Sequence, residues 1–213
     1  MTKILFTNTN CSFNKGSAAQ VISTCEVLRS LIPNLQITLM SRIPDLDSKL
    51  CKIHDIKVVR DTWFSKELDG IWLYIYYLFV HVFLDIFVAS LFKMGLNPRS
   101  IKNPKIQEYI SSDAIIDLSG DSFSDDDKYS SSLQIDASIL FGISLKKPIV
   151  IYSQSIGPFT KALTIFAKYC INRADIVIIR EEINKNYLKK LEIQSLIYLT
   201  ADCAFLLDFI PYV

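Results

Sequence analysis

Short β-branched runs alternate with longer segments of helical periodicity along this chain, and the alternation limits its fold more than any other feature. After the first run, residues 3–7, the sequence turns polar and then repeats apolar residues every three or four positions over residues 17–31. This order predicts an α/β domain, an open and mostly parallel sheet of about six or seven strands with helices on both faces. Strands are expected at residues 3–7, 35–40, 56–59, 113–118, 149–153, 175–179 and 196–199, and helices at residues 17–31, 133–145, 160–172 and 181–191.

The composition argues against several classes of function. The 213 residues are 50% hydrophobic, which is enough for the core of one large domain or two small ones. The formal net charge is +1 and no basic stripe with interleaved aromatic residues occurs, so nucleic-acid binding is not favoured. Five widely spaced cysteines without a CxxC pair indicate a reducing compartment, and neither a disulfide framework nor a zinc site. The polar start, MTKILFTNTN, predicts a first strand and not a signal peptide.

The stretch 149–159, IVIYSQSIGPF, predicts a buried strand that ends in a functional loop. Its β-branched run is followed by a tight polar turn that contains Gln154, Ser155, Gly157 and Pro158. In an open parallel sheet, ligands bind outside the carboxyl ends of the strands, which is where this turn lies. An ordinary strand-to-helix connection, with an unusual backbone angle at Gly157 and a helix that starts at Pro158, remains the alternative.

Three other polar groups follow predicted strands and should meet this turn in one crevice. Gly16 permits close backbone approach, and Ser17 is placed to cap a helix whose positive end would hold an anion. A plain helix cap without a ligand is the alternative for this group. The candidate site residues in the three groups are Asn14, Gly16 and Ser17 after the first strand, Gly120 and Asp121 after the fourth, and Arg180 after the sixth.

Arg180 has the firmest claim to a functional role. An arginine that closes an apolar strand is costly unless it meets an anion or a carboxylate. Two interpretations therefore stay open, namely binding of an anionic ligand and an ion pair with Glu181, Glu182 or an aspartate of the site. The acidic run at residues 125–127 favours a solvated loop over a divalent metal site, and no metal is expected.

Residues 71–92, IWLYIYYLFVHVFLDIFVASLF, interrupt the rhythm with an apolar stretch that is long enough to span a bilayer. A span would place two parts of one sheet on opposite sides of a membrane, so the topology favours a helix that lies on a membrane surface. Burial against this domain or a partner, and a true span, remain open. A narrow polar stripe follows one side of the helix, and within it His81 is expected to pair with Asp85.

Several segments together resemble the polysaccharide pyruvyl transferase family. They are NKGSAA after the first strand, DAIIDLSGDSFSDD, IYSQSIGPF, ADIVIIREEINKNYL and the late TADCAFLL, in the family's order and at similar spacing. The resemblance implies a Rossmann-like domain similar to the N-terminal half of a two-domain GT-B glycosyltransferase. It also implies transfer of a pyruvyl group to a sugar hydroxyl of a cell-surface or capsular polysaccharide or its lipid-linked precursor. The donor substrate would be phosphoenolpyruvate, and no further cofactor is expected.

The resemblance assigns a role to each candidate site residue. The chain departs from the family pattern at Ser17, where relatives often carry Asp, and at Gly120, where they often carry a double glycine. Arg180 would be the catalytic basic residue that faces the donor. The residues that bind the donor or substrate would be Asn14, Gly16, Ser17, Gly120, Asp121, Gln154, Ser155, Gly157 and Pro158.

The family's chains continue into a second domain with further basic residues and an acid/base histidine. Residues 1–213 are therefore expected to form a single N-terminal domain with a hydrophobic helical insertion at about residues 66–96. This half alone is not expected to be active, because a cleft between two domains needs both walls. The expected partners are a saccharide acceptor, a membrane surface at residues 71–92 and a separate polypeptide with the second domain, and the expected location is the cytoplasm at the inner face of the membrane. A truncated, non-catalytic remnant or a partner-binding half of a GT-B-like enzyme remains the alternative.

Overall fold

The protein forms an open parallel sheet in the computed structural model, which describes residues 1–61, 71–95, 102–124, 129–159 and 161–207. Within these residues there are seven strands, in the order β3-β2-β1-β4-β5-β6-β7 across the sheet, and every neighbouring pair is parallel. The open, parallel α/β fold expected from the sequence is therefore confirmed. The strands are β1 (Lys3–Thr7), β2 (Gln36–Ser41), β3 (Lys57–Arg60), β4 (Ala114–Asp117), β5 (Ile149–Gln154), β6 (Ile176–Ile179) and β7 (Ile197–Leu199).

Helices connect the strands and cover both faces of the sheet. The four helices expected from apolar periodicity are present, although the second of them begins at Tyr129, before the predicted residue 133. Two short helices were not predicted, and each has a proline in its first turn. The helices are α1 (Lys15–Leu31), α2 (Pro44–Ile53), α3 (Ile71–Lys93), α4 (Pro104–Ser111), α5 (Tyr129–Ser144), α6 (Lys161–Ile171) and α7 (Glu182–Lys190), followed by a short 3-10 helix at Cys203–Leu206.

Alternating side chains of the strands supply a hydrophobic core to each face of the sheet. In β1, Leu5 packs into one core, whereas Ile4 and Phe6 pack into the other. The neighbouring residues Ile115 and Ile116 of β4 divide between the two cores in the same way. Successive strand residues point to opposite faces, so these two cores bury both faces of the sheet. This explains why the strands are nearly continuous apolar runs in the sequence.

The order of the strands reverses at the centre of the sheet. Strands β2 and β3 add on one side of β1, and β4 then returns to its other side before β5, β6 and β7 continue outwards. At the carboxyl ends of β1 and β4, the N–H of Leu118 donates a 3.1 Å hydrogen bond to the carbonyl of Thr7. In a doubly wound sheet, a crevice for ligands opens at such a reversal. The loops after β1 and β4 are therefore placed side by side where a ligand would bind.

Helix α3 coincides with the apolar stretch of the sequence and packs against α5 and α4. The strands before and after it, β3 and β4, belong to the same sheet, as the topology argument requires. Asp85 is buried on its inner side and accepts a 3.1 Å hydrogen bond from Nζ of Lys105 in α4. The predicted pair of Asp85 with His81 stays a prediction, since the side chain of His81 lies outside the described residues. Among the residues that are described, no helix is long and apolar enough to cross a membrane.

Candidate functional site

A small cavity lies at the carboxyl end of the sheet, between the start of α1 and the loops after β4 and β6. Its volume is about 160 Å³. Pockets for whole small molecules usually measure about 300–1,000 Å³, so this cavity suits one charged group of a larger ligand. Six residues predicted from the sequence line it, namely Asn14, Gly16, Ser17, Gly120, Asp121 and Arg180, and Gln20, Asp202 and Ala204 complete the lining.

The amino-terminal end of α1 forms one wall of the cavity. Asn14 caps this helix, because its Oδ1 accepts a 2.8 Å hydrogen bond from the N–H of Gly16. The prediction that Ser17 is the cap is wrong, since the helix already begins at Lys15 and Ser17 lies in its first turn. A Cβ atom at Gly16 would come within 3.1 Å of the capping oxygen, so a larger residue would press on the cap. This end of the helix carries the positive end of the helix dipole.

Arg180 reaches the cavity from the position that follows β6. Its guanidinium forms an ion pair with Asp202, and its Nε donates a 2.9 Å hydrogen bond to Oγ of Ser155. The same Nε lies 3.9 Å from Oε1 of Glu181, which also accepts a hydrogen bond from the hydroxyl of Ser155. The ion pair with a site aspartate, one of the two interpretations of Arg180, is therefore present, and the residue also lines the cavity.

Asp202 and Gln20 are site residues that sequence reasoning missed. Asp202 caps the 3-10 helix through a 2.9 Å hydrogen bond from the N–H of Ala204, and Nε2 of Gln20 donates to it over 3.2 Å. Burial acts to raise the pKa of Asp202, but these hydrogen bonds and the charge of Arg180 outweigh burial and hold the pKa below its ordinary value. Two sequence signals could have identified these residues. Asp202 ends the TAD sequence that precedes a short apolar run, and Gln20 lies one helical turn after Gly16.

The loop after β4 carries Gly120 and Asp121 to the cavity. Gly120 has a φ of +68°, which side chains rarely adopt, and the side chain of Gln20 lies 3.4 Å from where a Cβ would be. The carbonyl of Gly120 accepts a 2.9 Å hydrogen bond from the N–H of Ser155, which joins this loop to the one after β5. Asp121 is exposed at the cavity. Residues 125–127, for which a solvated loop was favoured over a metal site, lie outside the described residues.

The loop after β5 supports the cavity and does not line it. Gln154 is fully buried, and Ser155 reaches the cavity through its hydrogen bonds to Arg180 and Gly120. Gly157 has a φ of +75°, and a Cβ there would meet the ring of Tyr187 in α7, so the unusual backbone angle proposed for it is confirmed. Pro158 does not start a helix. Direct contact between this loop and a ligand stays a prediction.

A larger cavity lies away from these residues. Its volume is about 440 Å³, and it is lined by the starts of β2 and β3 together with the end of α2. None of the residues predicted from the sequence as site residues belongs to its lining. The polar groups that follow the strands therefore converge on the smaller cavity at the opposite end of the sheet.

Comparison with known proteins identifies a family and a shared fold. The family model described as polysaccharide pyruvyl transferase matches residues 14–213. Among solved structures, the protein is similar to a chain in the crystal structure of Anabaena Alr3699/HepE in complex with UDP and glucose, with 14% sequence identity and a TM-score of 0.53. The match covers 95% of this chain and 45% of the other, so this chain spans less than half of that length. At this identity the likeness concerns the fold alone. No curated protein matches the sequence.

Proposed function

The chain belongs to the polysaccharide pyruvyl transferase family, and from this we propose that it acts in the transfer of a pyruvyl group from phosphoenolpyruvate to a sugar hydroxyl. The acceptor is a cell-surface or capsular polysaccharide or its lipid-linked precursor. The observation that carries the proposal is the cavity at which the start of α1, Gly120 and Arg180 converge. Phosphoenolpyruvate carries a phosphate and a carboxylate, which are the groups that a helix amino terminus and an arginine bind.

The charges at the cavity indicate which part of a donor site this chain supplies. Arg180 contributes a positive charge, whereas Asp121 and Asp202 contribute negative charges. The ion pair with Asp202 already neutralises Arg180. A phosphate or carboxylate of the donor would therefore exchange with Asp202 at the guanidinium, and a multiply charged donor needs further positive charge nearby. We assign that charge to a second domain across the cleft, on the same or on a separate polypeptide.

In the proposed reaction this chain binds and orients the donor. One sugar hydroxyl loses its proton as its oxygen adds to C2 of the enolpyruvyl group and C3 gains a proton. A second hydroxyl then displaces phosphate from C2 and loses its proton, which leaves a ketal. These proton transfers need a group that can gain and lose a proton near neutral pH. An arginine guanidinium does not lose its proton in proteins, and the lowered pKa of Asp202 keeps its carboxylate ionised near neutral pH. The acid/base group is therefore assigned to the second domain, and this half alone is not expected to turn over substrate.

Titration with phosphoenolpyruvate tests the role of Arg180. The wild-type protein should bind, and Arg180→Ala should weaken binding by about 10- to 100-fold, because a hydrogen bond to a charged group is worth about 1.5–3 kcal/mol. Arg173→Ala is the matched control, since Arg173 stacks on Tyr169 and does not line the cavity. Equal binding by the wild type and Arg180→Ala would remove Arg180 from its proposed role.

A second candidate function is a partner-binding half without catalysis of its own. The ion pair between Arg180 and Asp202 favours it, because the guanidinium is satisfied without a ligand. Co-purification separates the two functions. A complex with a second polypeptide that consumes phosphoenolpyruvate would support the enzyme, whereas a stable complex that neither binds nor consumes it would support the non-catalytic half.

We further propose that the outer side of α3 docks on the cytoplasmic face of the membrane, where lipid-linked acceptors lie. Phe79, Phe83 and Phe87 follow one another at helical spacing on this side and are 71%, 61% and 54% exposed. The ion pair between Asp85 and Lys105 ties the opposite side of the helix to the domain. A stripe of exposed apolar side chains is typical of helices that lie in a membrane interface. Binding should be moderate, since only one helix face inserts.

Liposome flotation tests this contact. The protein should float with vesicles, and a variant with Phe79, Phe83 and Phe87 changed to serine should not. The control variant has Ile165, Phe166 and Tyr169 of α6 changed to serine, since these are also exposed apolar residues. Equal flotation of all three proteins would assign the phenylalanines to a partner interface. Protease protection of the residues after Asp113 inside sealed vesicles would show a span instead.

A further inference from the structure

We propose that Asp117 is a positioning residue that fixes the three site loops relative to one another. This inference deepens the proposed function and rests on it, because these loops form and support the cavity in which an anionic group of the donor is proposed to bind. Asp117 ends β4, the middle strand of the described sheet, and its side chain is fully buried. It does not line the cavity and therefore acts through its neighbours.

The carboxylate of Asp117 receives hydrogen bonds from the start of each loop. In the first loop, Asn8 donates through Nδ2 to Oδ2. In the second, Ser119 donates its N–H over 3.2 Å and its hydroxyl over 2.6 Å to Oδ1. At the start of the third, Gln154, the last residue of β5, donates through Nε2 to Oδ1. Separating the loops would break hydrogen bonds to a charged group, which are stronger than those between neutral groups.

Asp117 also determines how two amide side chains are oriented. Asn8 and Gln154 both direct their nitrogen to the carboxylate, and their side-chain oxygens accept no hydrogen bond from the described part of the chain. A flipped amide would turn its oxygen towards the carboxylate and be repelled. Asn8 has in addition a φ of +60°, which is uncommon outside glycine. The carboxylate thus stabilises an unusual conformation at the point where the first loop leaves β1.

The burial of this carboxylate indicates a geometric role. Burial raises the pKa of Asp117, and the hydrogen bonds from Ser119, Asn8 and Gln154 compensate for this only in part. A buried charge is a weak source of stability, because apolar residues of similar volume often serve the fold as well. What an apolar residue cannot do is hold donors from three separate loops at one point.

In the second and third loops, the residue that binds Asp117 directly precedes a residue that lines or supports the cavity. Ser119 directly precedes Gly120, which lines the cavity. Gln154 directly precedes Ser155, whose hydroxyl accepts the 2.9 Å hydrogen bond from Arg180. A shift of either loop at Asp117 would therefore move the cavity wall or the guanidinium.

Hydrogen exchange, measured by mass spectrometry on the full chain, tests the inference. Asp117→Ala should make exchange about 10-fold faster at residues 8–17, 118–124 and 153–159 together, because each loop loses a hydrogen bond to a charged group. Asp113→Ala is the matched control, since Asp113 directly precedes β4 and accepts a 2.8 Å hydrogen bond from Lys3 at the start of β1. It should leave the three loops unchanged. A rise confined to residues 118–124, or spread evenly over the sheet, would overturn the inference.

A second variant covers the case in which Asp117→Ala does not fold. Gln154→Met keeps a similar volume and removes one donor to Asp117, so exchange should rise at residues 118–124 and 153–159 and stay unchanged at Asn8. No rise at either segment would overturn the inference as well.

Phosphoenolpyruvate titration of the same proteins separates this inference from the proposed function. If the wild type does not bind, the proposed function fails, and the exchange pattern still decides the role of Asp117. If the wild type binds, Asp117→Ala should bind about 10-fold more weakly while remaining folded by circular dichroism. Unchanged affinity in that variant would contradict a positioning role.

Discussion

Replacing Lys105 by methionine should lower the free energy of unfolding by about 3–5 kcal/mol at neutral pH. Lys105 is fully buried, and its Nζ lies 3.1 Å from a carboxylate oxygen of Asp85 and 3.9 Å from one of Asp61. Methionine has a similar volume but no charge, so both buried carboxylates would lose this cation. The loss is large because the attraction to this cation no longer offsets the desolvation cost of the buried carboxylates.

Chemical denaturation followed by circular dichroism measures the effect. Lys57→Met is the control, because Lys57 also forms an ion pair, with Glu108, but its side chain is 49% exposed. An exposed ion pair is worth about 0–1 kcal/mol, so this control should lose little stability. If Lys105→Met costs no more than Lys57→Met, the reasoning from burial is refuted.

Three further outcomes are expected. Gly157→Ala should lower the free energy of unfolding more than Gly95→Ala. Both glycines have a positive φ, but only a Cβ at Gly157 would meet the ring of Tyr187. Equal losses of stability in chemical denaturation would refute this. Asp202→Asn should raise the affinity for inorganic phosphate, measured by calorimetry, because the carboxylate that competes with phosphate for Arg180 is removed. Weaker binding of phosphate by this variant would contradict the prediction. Since the pKa of Asp202 is lowered, its contribution to stability is present above its unfolded pKa and is lost as pH falls through the folded pKa. Asp202→Asn should therefore reduce the loss of stability in acid, and identical acid denaturation curves would argue against the low pKa.

The strands could be predicted from local sequence because both faces of the sheet are buried, which makes each strand an apolar run. Helices α2 and α4 could not be predicted in this way. They have 10 and 8 residues respectively, which hold too few apolar repeats to show a helical period. Their starts are marked only by Pro44 and Pro104, and by Asn103, which caps α4.

The candidate site could be predicted where residues directly follow strands, since parallel strands bring their carboxyl ends to one edge. Asp202 could not be predicted as a site residue because its contacts depend on the tertiary fold. It pairs with Arg180, 22 residues earlier, and with Gln20, 182 residues earlier. Asp85 shows the same limit, because the fold brings Lys105 to it from 20 residues away.

The deciding measurement is a pair of calorimetric titrations, one with phosphoenolpyruvate and one with UDP-glucose, into the protein together with any polypeptide that co-purifies with it. UDP-glucose represents the nucleotide sugars that a GT-B-like glycosyltransferase would use as donors. We predict saturable binding of phosphoenolpyruvate that is weakened about 10- to 100-fold in Arg180→Ala and kept in Arg173→Ala. Binding of UDP-glucose without binding of phosphoenolpyruvate would contradict a pyruvyl donor site in this cavity.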